Sequence, residues 1–186
     1  MILDNMALNR PKRYAGPRRG FTIIEILVVV AIIGVLSTLA AMSSQRAKVL
    51  AQENKAKGDL KELRTAIDLL EQDTGRWPNG CAPWASANPE VDLYAAQAGL
   101  TQRPAVGDQG TGCFWTDQTI AQWNGPYVSV TQDPWGHDYY FDPDYVPYQH
   151  CPSKTVQGEQ VVVQSFGPNG AGINAYDCDD IFLPLK

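Results

Sequence analysis

The stretch GFTIIEILVVVAIIGVLSTLAAM, residues 20–42, decides the fold. Its residues are apolar, small or hydroxylated, with the single exception of Glu25. As a helix rising about 1.5 Å per residue, it extends roughly 33 Å from Phe21 to Met42, enough to cross the hydrocarbon core of a bilayer. Upstream, Arg10, Lys12, Arg13, Arg18 and Arg19 stand against Asp4 alone, so residues 1–20 carry a net charge of +4. Basic flanks stay on the cytoplasmic side, which predicts a single pass across the inner membrane, N-terminus in and C-terminus out. Beyond residue 20 the chain has ten basic and nineteen acidic residues, a net −9. An acidic body argues against sequence-independent binding of nucleic acid, which needs cations facing phosphates. The mean hydropathy of −0.25 therefore averages two unlike parts. The 186 residues leave room for one globular domain after the apolar run.

Past Met42 the pattern becomes amphipathic, with Leu50, Ala56, Leu60, Leu63, Ile67 and Leu70 on one face. Glu53 with Lys57, Lys55 with Asp59, and Arg64 with Asp68 form i,i+4 pairs, read as solvated decoration of the other face. No proline falls between Phe21 and Arg76, so one helix of about 50 residues is expected. Gly75, Pro78 and the Asn79–Gly80 pair end it. Residues 81–119, rich in Ala, Gly, Pro and Gln, read as a variable loop with one short helix over 90–98. From Trp123 onward the phrases WNGPYVSVTQDPWGHDYYFDPDY, VVVQSFGPNG and DDIFLPL alternate strand and turn. The expected fold class is α+β, a long N-terminal helix packed on a small C-terminal antiparallel sheet. The organisation is a leader at 1–20, a membrane or filament-core helix at 21–43, its amphipathic half at 44–76, and a globular domain at 77–186.

Cys81, Cys113, Cys151 and Cys178 all follow the apolar run and are too far apart for a CxxC metal knuckle. Disulfides suit an oxidising exterior, and four cysteines allow three connectivities. Nearest-neighbour pairing, Cys81 with Cys113 and Cys151 with Cys178, is preferred because each bond staples one local loop, contributing about 3–4 kcal/mol in the chain-entropy model.

Three fates are open to the N-terminus. Thr38-Leu39-Ala40 is a weak small-x-small signal-peptidase site. Arg18-Arg19-Gly20-Phe21 suggests twin-arginine export, a signal that has no use for a carboxylate in its apolar run. The third fate uses more of the residues: Gly20 followed by FTIIEILVVVAIIGVLS resembles the class III signal of type IV pilins and type II secretion pseudopilins. The resemblance implies that a prepilin peptidase cuts after Gly20 and methylates the Phe21 amine, leaving the helix attached. A carboxylate among Ile and Val costs about 2.5–3.5 kcal/mol on insertion scales, so Glu25 calls for a partner unless it is protonated or snorkels. In the resembled family that partner is the Phe21 amine of a neighbouring subunit. Gly34 matches a helix-weakening glycine of the family, whereas the family's proline near the end of the apolar half is absent.

Further along, DTGRWPNG is similar to the DNGRYPT phrase of major pseudopilins. GPYV, DPWGHDY, SFGPNG and DDI fall in the order of that family's GPYL, DPWGNPY, SLGADG and ADI. The resemblance implies a pilin-like fold and a non-catalytic structural subunit that polymerises with itself. Its implied partners are the prepilin peptidase, an inner-membrane platform with its ATPase, and minor pseudopilins. It implies a filament on the outer side of the membrane, either a secretion pseudopilus or a surface type IV pilus. In that family the last loop binds calcium, which places Asn169, Asp177, Asp179 and Asp180 as candidate ligands, hard oxygens of the kind Ca²⁺ prefers. Asp133, His137, Asp138 and His150 lie among aromatics but make no nucleophile pattern. The five tryptophans, Trp77, Trp84, Trp115, Trp123 and Trp135, leave a carbohydrate-binding module as the non-structural alternative.

Overall fold

The computed structural model describes residues 20–84, 89–109, 112–129 and 132–185. All of the leader except Gly20 thus lies outside the described residues. Two compact units result, one ending at Gln45 and the other comprising Arg46–Lys186. Helix α1, Ile23–Thr74, is continuous through both.

In the first unit the large apolar side chains from Phe21 to Met42 are all exposed. The helix is long and apolar enough to cross a membrane. Its two hydroxyl residues fold back on the helix, Ser37 Oγ donating to the Ile33 carbonyl at 2.7 Å and Thr38 Oγ1 to the Val35 carbonyl at 2.8 Å. Both hydroxyls are therefore satisfied without water, as an apolar surrounding requires.

The second unit is built on the remainder of α1. Ala56, Leu60, Leu63, Ala66, Ile67, Leu70 and Thr74 form its buried stripe. Leu50, expected on that stripe, is 58% exposed. At 3.6 residues per turn it lies about 140° around the helix from Leu63, so loose spacing placed it on the wrong side. Gly75 closes the helix in the left-handed region, at φ +66°, its N–H bonded to the Glu71 carbonyl at 2.8 Å. The chain then forms β1 (Val91–Asp92), β2 (Gly107–Asp108), β3 (Phe114–Trp115), α2 (Asp117–Gln122), β4 (Tyr140–Tyr145), β5 (Gln160–Ser165) and β6 (Ile181–Pro184).

Strands β1, β4, β5 and β6 form an antiparallel sheet in that order, while β2 and β3 pair separately. Register aligns Val91 with Phe141, Phe141 with Val163, and Val163 with Leu183. This row belongs to the same core as the α1 stripe. The opposite face carries Asp142, Val162 and Gln164, and a second, smaller core of Tyr145, Val162 and Tyr176 lies there.

Two local expectations change. The helix expected over 90–98 is β1 followed by a 3₁₀ turn at Ala96–Ala98. Pairing of Val91 with Phe141 takes the backbone bonds a helix would have used, and Asp92 Oδ1 accepts the Tyr94 N–H at 2.8 Å, turning the chain. Helix α2 was missed although Thr116 and Thr119 cap it reciprocally.

Polar contacts also hold α1 to the sheet. The Tyr139 hydroxyl donates to Asp59 at 2.8 Å, the Tyr127 hydroxyl to Asp73 at 2.8 Å, and Gln52 Nε2 to the Pro134 carbonyl at 3.3 Å. Asp59, paired with Lys55 at 2.6 Å, is thus more than surface decoration. The Cys81–Cys113 and Cys151–Cys178 disulfides close loops with sequence separations of 32 and 27.

Because Leu63 is 1% exposed and central to the stripe, Leu63→Ala should destabilise the domain by about 2–5 kcal/mol. Leu50→Ala should leave the melting temperature of the detergent-solubilised full chain unchanged. Equal effects in thermal melts would show that the stripe is misassigned.

Candidate functional sites

At the start of α1 the geometry satisfies the lone carboxylate locally. Thr22 N–H and Thr22 Oγ1 both donate to Glu25 Oε2 at 2.8 Å, and the Glu25 N–H reaches Thr22 Oγ1 at 3.3 Å. This reciprocal arrangement is a capping box, which places the acid in the first turn where free backbone N–H groups favour negative charge. The T-x-x-E spacing was legible in the sequence and was missed there. Gly20 and Phe21 immediately precede the cap, and Phe21 is 84% exposed.

The residues considered for catalysis have structural duties. Asp133 Oδ1 accepts the backbone N–H groups of Trp135 and His137, each at 2.9 Å, which shapes the DPWGH turn. Its other oxygen accepts the Ser165 hydroxyl at 2.5 Å, pinning the turn to the end of β5. His137 Nδ1 bonds the Gly167 carbonyl at 3.0 Å, and His150 Nδ1 bonds the Ala175 carbonyl. The serine hydroxyl is directed at a carboxylate and neither imidazole is directed at a hydroxyl, so these contacts do not form a nucleophile relay. Asp138 accepts from Gln132 Nε2 at 3.3 Å at the edge of the turn.

Trp77 and Trp115 are each 1% exposed, and the Trp115 and Trp123 indoles donate to the Gln97 and Gly99 carbonyls, both at 2.7 Å. Trp84, at 55% exposure, is the exposed tryptophan and packs edge-on to Trp77. Most of the indole surface thus serves packing, which removes the main support for a sugar-stacking platform.

The C-terminal loop brings Asn169, Asp177, Asp179 and Asp180 into one hydrogen-bonded group. Asn169 Nδ2 donates to Asp177 Oδ2 at 2.8 Å and to Asp179 Oδ1 at 2.6 Å, while the Asn169 N–H reaches Asp179 Oδ2 at 3.0 Å. Asp180 Oδ2 accepts from the Tyr145 hydroxyl at 3.0 Å and the Asp177 N–H at 3.1 Å. Asp180 Oδ1 is buried with no donor. A Cβ at Gly167 would collide with the Asp179 carbonyl, and Gly167 sits at φ +63°, so the loop closes only with glycine there.

Desolvation pushes the Asp180 carboxyl up to about 7, with Asp177 and Asp179 adding repulsion against the opposing bond from Tyr145. Desolvation raises Asp179, and Asp177 raises it further. Burial works the same way on Asp177 but is outweighed by hydrogen bonding with Asp179 and Asn169, which holds it below the usual range.

The donor chemistry of this loop fits a hard cation: three carboxylates, an amide and a buried oxygen lacking a donor. Among the described residues, however, no three His, Cys, Asp or Glu side chains converge as a ready metal cluster. The Asn169 amide nitrogen stands between Asp177 and Asp179, so a cation there would need the amide to present its oxygen instead.

A glycine and capped acid at the head of an exposed apolar helix, continued as the spine of a small α+β domain, define the pilin-like class of prepilin-peptidase substrates. Residues 17–41 match the family described as Prokaryotic N-terminal methylation motif. The chain is 30% identical to type II secretion system core protein G of Klebsiella pneumoniae over 153 residues, 82% of this chain and 86% of the relative. It is 32% identical to the core protein G of Pectobacterium carotovorum subsp. carotovorum over 122 residues, 66% of this chain and 65% of that one. A probable minor fimbrial protein of Dichelobacter nodosus is 38% identical over 98 residues, 46% of this chain and 61% of the relative. No solved structure matches the chain. The chain belongs to the type II secretion system core protein G family, the major pseudopilins.

The raised Asp180 carboxyl has a defined consequence for stability. A folded-state value above the ordinary 3.8 favours the protonated native form, so its contribution is complete at acid pH and is lost as pH rises through about 7. In calcium-free buffer the melting temperature should therefore fall across that window, and Asp180→Asn should flatten the fall. An identical slope in wild type and variant would show that Asp180 is not the group responsible.

Proposed function

We propose that this chain is the major structural subunit of a type II secretion pseudopilus, cut after Gly20 and assembled through its apolar helix. The reading is carried by the exposed apolar surface from Phe21 to Met42 with one carboxylate at its head. Apolar surface of that extent needs lipid before assembly and other copies of the same helix afterwards. The basic leader would keep the N-terminus cytoplasmic and the domain outside. Cleavage removes that basic anchor and creates an amine at Phe21.

In the isolated chain Thr22 holds Glu25. In the filament the carboxylate would pair with the Phe21 amine of a neighbour, setting successive subunits in register. The energy for extraction would come from an assembly ATPase acting through a membrane platform, with minor pseudopilins as co-assembling partners, and the subunit itself acts as a building block without catalysis. Similarity to a minor fimbrial protein keeps a surface fibre as the second reading, and recovery of the filament from sheared intact cells would favour it.

We further propose that the C-terminal loop takes up calcium through Asp177, Asp179, Asp180 and the Asn169 side-chain oxygen. The cation would relieve repulsion among the three acids and give the Asp180 oxygen a partner. The Cys151–Cys178 bond already closes this loop covalently, so calcium would add to an existing staple.

Glu25→Ala should still be cut, giving methylated Phe21 as the first residue by intact mass, while filament recovery falls tenfold or more. A tenfold loss corresponds to about 1.4 kcal/mol of missing pairing. Normal filament yield would remove the proposed role of the acid. Millimolar calcium should raise the melting temperature of the full chain by mass action, and Asp177→Asn should abolish the rise. An unchanged melt of the wild type would reject the metal.

A further inference from the structure

A second acidic group lies across the sheet from α1, with Tyr145 between it and Asp180 of the C-terminal loop. Continuing the β1–β4 register by one residue sets Glu90 opposite Asp142, both on the face away from the helix. Like charges directly opposite each other repel, and Asp142 is fully buried. Its Oδ1 accepts the Asp144 N–H at 3.1 Å and its Oδ2 accepts Gln164 Nε2 at 3.2 Å. Side chains opposite each other on one sheet face stand about 4.5–5.5 Å apart at Cβ, which brings the Glu90 and Asp142 carboxyls within hydrogen-bonding reach. Two ionised carboxylates cannot make that bond, because neither has a hydrogen to give.

A further observation points to the same deficit. Gln164 is 1% exposed, its amide is directed at Asp142, and its Oε1 has no donor. Glu90 Oε2 is likewise buried without one. The group thus holds two acceptor atoms with nothing to accept. The titratable groups facing it are Asp92 from β1, Tyr140, Asp144 and Tyr145 from β4, and Tyr176 from the loop between β5 and β6. Among the described residues, the ion pairs formed by Lys, Arg and His all lie elsewhere.

We infer that Glu90 and Asp142 share one proton at neutral pH, and that this proton latches the disulfide-closed loop onto the sheet. The mechanical link is the Glu90 carboxyl itself, whose Oε1 accepts the Asn174 N–H at 3.2 Å across 84 residues of chain. Asn174 in turn accepts from the buried Tyr176 hydroxyl at 2.9 Å. With the proton present, the two acids form a carboxyl–carboxylate bond and Glu90 stays in place to hold the loop. With the proton gone, two adjacent charges in a dry site separate, and the more exposed Glu90 is the one that moves. Burial, followed by a side-chain hydrogen bond with Asp144 and the repulsion of Glu90, moves Asp142 up to about 8, in keeping with this geometry. The balance is simple: one proton is released to solvent and no other bond changes. The device lies on the outer side of the membrane in the reading above, where it would report ambient pH to the loop, but it does not depend on that reading.

Infrared spectroscopy of the detergent-solubilised full chain tests the shared proton directly. In an Asp180→Asn background, which removes the other carboxyl raised into this range, a protonated-carboxyl carbonyl band should persist at pH 7, vanish with a midpoint near pH 8, be lost on adding Asp142→Asn, and move its midpoint downward on adding Glu90→Gln. Hydrogen exchange tests the latch: after correction for intrinsic rates, the Asn174 amide should lose protection at least tenfold above the midpoint in wild type and keep it in Glu90→Gln, whose amide stays uncharged. In the Asp180→Asn background, no acid carbonyl band at pH 7, a band that survives in a folded Asp142→Asn, or a midpoint that Glu90→Gln leaves unchanged overturns the shared proton. Protection at Asn174 that does not change with pH overturns the latch. Because filament yield is measured separately, failure here leaves the assembly reading intact.

Discussion

The contact on which the domain depends is the burial of one face of a helix that continues from a membrane-spanning segment. Leu60, Leu63, Ile67 and Leu70 meet the row formed by Val91, Phe141 and Val163, and each fully buried side chain of this size stabilises by about 1.5–3 kcal/mol. Once that face is covered, the remaining elements have little freedom. The sheet must be antiparallel with its apolar row toward the helix, and the loops must cover what the sheet leaves open. The same helix thus carries the core stripe of the domain in its second half and an exposed apolar surface in its first.

Polar groups set the details. Tyr139 reaches Asp59 and Tyr127 reaches Asp73 with hydroxyls whose rings stand in or against the core, so the helix is clamped at its charged edges as well as along its stripe. The DPWGH turn hangs on one buried carboxylate: Asp133 ties its own turn and the end of β5 together. A phrase that resembles a family motif therefore has a physical reason, since no other residue type accepts from two backbone donors and a hydroxyl at that position without leaving one unpaired.

The far side of the sheet is less apolar and more acidic. Glu90, Asp142 and Asp180 are drawn against Tyr145 and Tyr176, and the Cys151–Cys178 bond keeps the covering loop near them. Such a layer contributes little net hydrophobic stability. In the readings proposed above it would respond to small positive species, a proton at one end and a divalent cation at the other. Covalent closure of the loop means that such species would adjust a structure that does not rest on them alone.

Much of this molecule was legible from its residues because the signals are local. An apolar run behind a basic cluster, a heptad-like stripe, a Gly–Pro stop and phrases such as DPWG each act within a few residues, and membrane insertion, helix periodicity and turn chemistry read short windows. Even so, Leu50 fell on the wrong side because spacings of three, four and seven drift around a 3.6-residue turn. What only the tertiary structure decided are the long-range pairings. It joined Glu90 to Asp142, Ser165 to Asp133, and Tyr145 to Asp180, and it replaced a helix at 90–98 with a strand that β4 captures. Those outcomes depend on which backbone edge or buried oxygen remains unpaired after the core has closed, and that is a property of the whole chain rather than of any window within it.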